Sequence, residues 1–138
     1  MKKREPISKI MTKDVITLNL AHSLEDAKRL FEEKKIRHAP VVKGEKVIGI
    51  LSLTDLLRIS FVDSYDGEDS VDTAIFGILN IEQVMISNPV TVAPDTTIKE
   101  VAEILYERDF HALPVVEDGN LKGIVTTTDL IHYLLDMY

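Results

Sequence analysis

Apolar and polar positions along this chain fall into helical and strand-like spacings, and the whole pattern comes twice. Leu24, Ala27, Leu30 and Phe31 recur at helical spacing behind Ser23, with Asp26 three residues after that serine. This predicts an amphipathic helix with a side-chain cap at its start. The helix ends near Lys34 and Lys35, cations that suit the negative end of the helix dipole. Ahead of it, Met11-Thr12 predicts a turn and Val15-Ile16-Thr17-Leu18 a short strand. Residues 1–9 are polar and read as a mobile lead-in. Behind it, Ile36-Arg37-His38-Ala39-Pro40 predicts a connector, because Pro40 forbids helix and sets the entry into Val41-Val42. Lys43-Gly44-Glu45-Lys46 predicts a hairpin-like turn, Val47 to Leu51 a second strand, and Thr54 to about Phe61 a helix.

The second copy keeps one constant offset from the first. Gly49-Ile50-Leu51-Ser52-Leu53-Thr54-Asp55-Leu56-Leu57 returns as Gly123-Ile124-Val125-Thr126-Thr127-Thr128-Asp129-Leu130-Ile131 without a gap. Met85 matches Met11, Val90-Thr91 matches Ile16-Thr17, and Thr97 to Arg108 matches the first long helix, with Thr97 and Glu100 as a capping box. Phe110-His111-Ala112-Leu113-Pro114-Val115-Val116 matches the Pro40 connector. Between 36–58 and 110–132, 8 of 23 positions are identical, where ordinary residue usage gives about one or two. Each unit therefore reads strand, helix, strand, strand, helix. A unit of that size is small for an independent core, so two are expected to pack face to face, each covering the other's open sheet. Residues 59–82 are longer than an ordinary loop; Asp63 to Asp69 is acidic, and Val71 to Leu79 is expected to form a short helix capped by Ser70.

Composition narrows the picture. The chain has 138 residues, 45% of them apolar and 28% charged, which are ordinary globular values. It has no cysteine, which excludes disulfides and thiolate-held metals and fits a reducing cytoplasm. No apolar run reaches a membrane-spanning length, and the basic start is not followed by the apolar core of a signal peptide. Net charge is −7, unevenly placed: residues 1–58 carry 13 Lys/Arg and 8 Asp/Glu, residues 59–138 carry 3 and 15. So acidic a chain is a poor partner for nucleic acid. The asymmetry leaves the first half better suited to an anionic ligand. It also suggests an antiparallel homodimer in which the basic half of one copy faces the acidic half of another.

The candidate chemistry lies where each second strand runs into its helix. Ser52-x-x-Asp55 and Thr126-x-x-Asp129 are helix-capping patterns, and they also gather hydroxyls and a carboxylate at a helix N-terminus. Capping and ligand contact can coexist. Arg37 and His38 read either as a solvated basic helix end or as anion ligands; His111 reads as a connector residue; His22 and His132 read as structural or surface residues. Thr127, like Leu53, is expected to point to the core as a strand residue. There is no glycine-rich phosphate loop, no Gly-x-Ser-x-Gly elbow and no His-Glu-x-x-His. The acidic stretch Asp63–Asp72 lacks the ligand pattern of a calcium-binding EF-hand.

These paired corners, with Ala-Pro-Val-Val and Leu-Pro-Val-Val upstream of them and Ile-Met-Thr and Val-Met-Ile opening each unit, resemble a tandem pair of CBS domains, named from cystathionine β-synthase. The resemblance runs from about Ile7 to the C-terminus. It implies an α/β (α+β) fold of two βαββα repeats packed as a pseudo-twofold pair, with repeats at 7–61 and 81–138 and an acidic linker at 62–80. It implies a stand-alone cytoplasmic regulatory module, not an enzyme, that takes AMP, ADP, ATP or S-adenosylmethionine in clefts between the repeats and signals metabolite status to a separate, unidentified protein. No cofactor or metal is required by this reading, and neither nucleic acid nor membrane is a partner. The alternative is a dimerisation module with vestigial clefts.

Carried onto these residues, the resemblance makes Asp55 and Asp129 the ribose carboxylates and Ser52, Thr54, Thr126 and Thr128 their hydroxyl partners. Arg37, His38 and His111, just before the prolines, would meet phosphates. Apolar and backbone groups near Thr12, Ile16, Thr17 and Ile36, or near Val90, Thr91 and Phe110, would hold adenine from the opposite repeat. Ala39, Pro40, Ala112 and Pro114 complete the two expected linings. Ala112 stands where the first unit has His38, so the second cleft is the poorer anion site.

Overall fold

Ser23 caps the first helix in both directions. Its hydroxyl accepts the Asp26 N–H at 3.0 Å, and its own N–H donates to Asp26 Oδ2 at 2.9 Å. The helix, α1, spans Leu24–Lys34, and Lys35 closes it with a left-handed φ of 55°. The computed structural model describes residues 4–63 and 78–138. Strand β1 covers His38–Lys43, so the expected connector is already strand at His38. Pro40 fits there because its carbonyl is what the ladder uses: it accepts the Leu18 N–H at 2.9 Å. The strand expected over Val15–Leu18 contracts to a single parallel bridge, Leu18 to Val41.

Strand β2 spans Lys46–Ser52, and helix α2 spans Leu53–Asp63. A short helix α3, Ile81–Val84, follows under a reciprocal Asn80–Gln83 cap; then comes β3, Ile86–Ser87, antiparallel to β2 at Gly49↔Ser87 and Ile50↔Ile86. Neither α3 nor β3 stands out in the sequence, though Asn80-x-x-Gln83 is a capping signature.

Helix α4 spans Ile98–Arg108, and the Thr97 hydroxyl accepts the Glu100 N–H at 3.1 Å, which is one half of the expected capping box; the Glu100 side chain does not return a bond to the Thr97 N–H. Strands β4, Ala112–Glu117, and β5, Asn120–Thr126, pair antiparallel from Ala112↔Thr126 to Glu117↔Asn120, with a register shift between Val115 and Val116. Their two-residue turn needs positive φ at both positions, which Asp118 and Gly119 supply at 55° and 82°. Helix α5 spans Thr127–Asp136. Thr127 and Leu53 each open a helix instead of continuing the strand; Leu53 still packs against its core, as expected, and Thr127 is half-buried. Among the described residues no helix is long and apolar enough to cross a membrane. The helix expected over Val71–Leu79 and the acidic stretch expected at Asp63–Asp69 lie largely outside the described residues.

The chain divides into two compact units, and neither is one continuous stretch. One takes Met1–Val15, Glu45–Val47 and Pro89–Tyr138; the other takes Ile16–Gly44 and Ile48–Asn88. Each has its own core. Leu18, Leu24, Ala27, Phe31, Ala39, Val41 and Leu51 form one, and their counterparts in the second repeat, Val92, Ile98, Val101, Leu105, Leu113, Val115 and Val125, form the other. The leading segments are exchanged. Ile7 is wholly buried in the core of the second sequence repeat, and its counterpart Ile81 in the core of the first. The lead-in is thus not a mobile tail from Glu5 onward. A 3-10 turn at Ile7–Lys9 is tied down by Ile7 N–H to Thr96 O at 2.7 Å and by Ile98 N–H to Glu5 O at 2.8 Å.

Candidate functional site

Two strand-to-helix corners carry the predicted chemistry, and each places its carboxylate in the same way. At the end of β2, the Ser52 hydroxyl accepts the Asp55 N–H at 3.0 Å, and the Ser52 N–H lies 3.4 Å from Asp55 Oδ2. At the end of β5, the Thr126 hydroxyl accepts the Asp129 N–H at 3.2 Å, and the Thr126 N–H donates to Asp129 Oδ2 at 2.9 Å. The spacing is the cause. A carboxylate at the third helical position reaches back to the cap residue's N–H, one of the donors a helix start leaves without a partner. Both carboxylates spend Oδ2 on the cap. Their Oδ1 atoms face other side chains.

The connectors before the prolines are laced to these corners through the backbone. The N–H of Leu53 donates to the carbonyl of Arg37 at 2.8 Å, and that of Thr127 to the carbonyl of His111 at 3.0 Å. The backbones of Arg37 and His111 are therefore held against the starts of α2 and α5, and both residues are exposed. Thr54 and Thr128, the second residues of their helices, are exposed next to the carboxylates. Ile36 and Phe110 pack partly on the two cores, as does Val90, while Ile16, Thr17 and Thr91 lie on the approach to the bridges at Leu18 and Val92. Ala39, Pro40, Ala112 and Pro114 are buried. The Pro40 and Pro114 carbonyls are taken by Leu18 and Val92, at 2.9 and 3.1 Å. These four residues build the strands behind the corners.

The surroundings of the two Oδ1 atoms differ. Thr12 forms an antiparallel bridge with Ile124, and its hydroxyl lies 3.5 Å from Asp129 Oδ1. Its counterpart Ile86 is apolar and 49% exposed. Asp55 Oδ1 has instead Arg58 Nη1 at 3.9 Å. Arg58 escapes a reading of the repeat alone because its counterpart is His132, which turns to Asp136 at 3.6 Å. His22 serves a turn, its Nδ1 accepting the Asn19 N–H at 3.0 Å. Among the described residues no group of three or more His, Cys, Asp or Glu could hold a metal.

One polar pair has no signature in the sequence. Tyr133 lies one helical turn beyond Asp129 and donates to the Glu5 carboxylate, which also pairs with Lys9 Nζ at 2.7 Å and is only 13% exposed. The hydrogen bond to Glu5 raises the Tyr133 pKa above its ordinary value, with burial and the carboxylate charge adding to the effect.

The model of the CBS domain family matches residues 7–61 and 81–136. The chain belongs to the CBS domain family. This CBS chain is 31% identical over 153 aligned positions to the uncharacterized protein MJ1426 of Methanocaldococcus jannaschii, an alignment covering 94% of this chain and 90% of that one. It is 34% identical over 121 residues to inosine-5′-monophosphate dehydrogenase of Korarchaeum cryptofilum, which is 87% of this chain but 22% of that enzyme. It spans less than half the length of several of the curated relatives it matches. Among solved structures it resembles the CBS-pair protein CBSX2 of Arabidopsis thaliana, with a TM-score of 0.83 at 26% identity over 96% of both chains. CBSX2 solved in complex with AMP gives a TM-score of 0.80, covering 96% of this chain and 98% of that one. The mixed α/β fold and the CBS resemblance read from the sequence both hold.

Proposed function

We propose that this CBS chain is a regulatory module that takes an adenosyl ligand at its Asp55 and Asp129 corners and passes metabolite status to a protein partner. The carrying observation is the shared carboxylate geometry. Oδ2 serves the cap, and Oδ1 keeps acceptor capacity toward the neighbouring side chains. A vicinal diol offers two donors, and an ionised carboxylate has about four lone-pair sites, so cap and ribose can be served together. The AMP complex of CBSX2 supports the adenosyl class. The reading is of a binding role, supported by the cap-and-carboxylate geometry and by the AMP complex of the related CBS pair.

The two corners are unequal as anion sites. Arg58 faces Asp55 Oδ1 at 3.9 Å and the Arg37 backbone is tied to the start of α2, whereas the matching positions of the second repeat are His132, which turns to Asp136, and His111. A phosphorylated ligand is therefore assigned first to the Asp55 corner, where a guanidinium can meet phosphate in bidentate fashion. Isothermal titration with AMP, ATP, S-adenosylmethionine and adenosine tests this. Micromolar binding is expected. Asp55→Asn keeps an acceptor for the cap but offers the diol a donor in place of one oxygen; it should weaken AMP by about tenfold. Asp129→Asn should weaken adenosine at least as much as AMP. Silence from all four ligands would remove the reading.

One observation favours a second reading, an interaction module with idle corners: Ile131, Leu134, Leu135 and Tyr138 leave an apolar stretch of α5 and the C-terminus exposed. An unchanged Tm across the nucleotide panel, together with a stable dimer, would support it.

A further inference from the structure

We propose that Tyr133 and Glu5 are positioning residues for the Asp129 corner, latching the Glu5–Thr12 strap against α5 so that Thr12 stays in register with the carboxylate. The proposal rests on reading that corner as a ligand site. One helix holds the strap at both ends. Asp129, in the first turn of α5, faces the Thr12 hydroxyl at 3.5 Å, and Tyr133, one turn on, donates to Glu5. Between these points the strap is tied by its main chain to the start of α4 and to β5, through Ile98 N–H to Glu5 O at 2.8 Å and Thr12 N–H to Ile124 O at 2.8 Å.

Helix α5 needs such a tie, because none of its residues is fully buried, and Leu130 and Tyr133 pack only partly on the core. The Glu5–Tyr133 bond is a charge-assisted link from this weakly seated helix to a strap whose Ile7 is wholly buried. Glu5 is only 13% exposed and holds Lys9 at 2.7 Å as well, so the carboxylate that receives the phenol is itself fixed in place.

The repeat supplies an internal control. The counterparts of Glu5 and Tyr133 are Leu79 and Ile59, both apolar and both packed on the other core. The counterpart of Thr12 is Ile86. Among the described residues the Asp55 corner therefore has neither latch nor strap hydroxyl, and losing the latch should alter one corner only.

The test uses Tyr133→Phe, which keeps the ring on the core and removes the donor, and Glu5→Gln, which keeps an acceptor for the phenol. Adenosine is titrated into each full chain in an Asp55→Asn background, and AMP is titrated at the Asp55 corner in an Asp129→Asn background. Tyr133→Phe should weaken adenosine by about tenfold, leave the Asp55 corner unchanged, and speed amide exchange at Thr12 by about tenfold. Glu5→Gln should stay within about threefold of the parent on each measure. Equal loss at both corners, or unaltered exchange at Thr12, overturns the latch. If the parent binds no adenosyl ligand, the ligand reading fails by itself, and exchange at Thr12 still decides whether the latch exists.

Discussion

Gly49 and Gly123 occupy the same place in the two repeats, yet their neighbours set different penalties for a side chain. A Cβ on Gly49 would collide with the Met85 thioether, the far end of a flexible side chain. A Cβ on Gly123 would stand 2.7 Å from Met11 Sδ and 2.8 Å from the Thr12 carbonyl oxygen, and that backbone is pinned on both sides of the bridge to Ile124. Methionine repacks readily, whereas displaced backbone costs ladder hydrogen bonds. Gly123→Ala should therefore destabilise by about 2–3 kcal/mol and Gly49→Ala by about 1 kcal/mol, read by denaturant melts. Because the displaced atom belongs to Thr12, Gly123→Ala should also weaken adenosine at the Asp129 corner. The glycines themselves are legible in the repeat. What they approach is not, because a close contact depends on a segment far away in the chain.

The elements follow their caps. Ser23, Thr97, Ser52 and Thr126 each sit one residue before a helix in the sequence and one residue before it in the structure. Capping patterns are local and need no tertiary partner, which is why they can be read so directly. Ser23→Ala should cost about 1 kcal/mol and lower Tm by a few degrees in a thermal melt. The same cap has a pH signature. The backbone and hydroxyl of Ser23 hold the Asp26 pKa below its ordinary 3.8, with Arg29 and His22 adding to the effect. A carboxyl with a depressed folded pKa stabilises the protein above its unfolded value, and that contribution is lost as pH falls through the folded pKa. The gap in Tm between parent and Asp26→Asn, which removes the charge the Ser23 N–H holds, should accordingly be full near neutrality and narrow below about pH 4. A gap that stayed constant down to about pH 2 would contradict the assignment. The short elements α3 and β3 escape a reading of the sequence because such brief segments carry almost no periodicity.

For the whole molecule, charge makes the one strong long-range statement. Residues 1–58 are net basic, with 13 Lys/Arg against 8 Asp/Glu, while residues 59–138 are strongly acidic, with 3 against 15. If two copies associate with these halves opposed, as the reading of a homodimer requires, association should be strongest at low salt. Sedimentation velocity should then show a dimer fraction that shrinks as the Debye length falls from about 30 Å at 0.01 M to about 3 Å at 1 M. A monomer at low salt would end that reading. The repeat, the helix caps, the apolar face of the first long helix and the paired carboxylate corners were all determined by the sequence, because each depends on spacing within a short stretch or on its return in the second repeat. Only the tertiary structure decided which core receives Ile7 and which receives Ile81, that Thr12 meets Asp129 across 117 positions, and that Glu5 meets Tyr133 across 128. The reason is physical. Burial is non-directional, so an apolar residue announces that it will be covered without announcing by what, and two repeats of the same pattern offer it two similar faces.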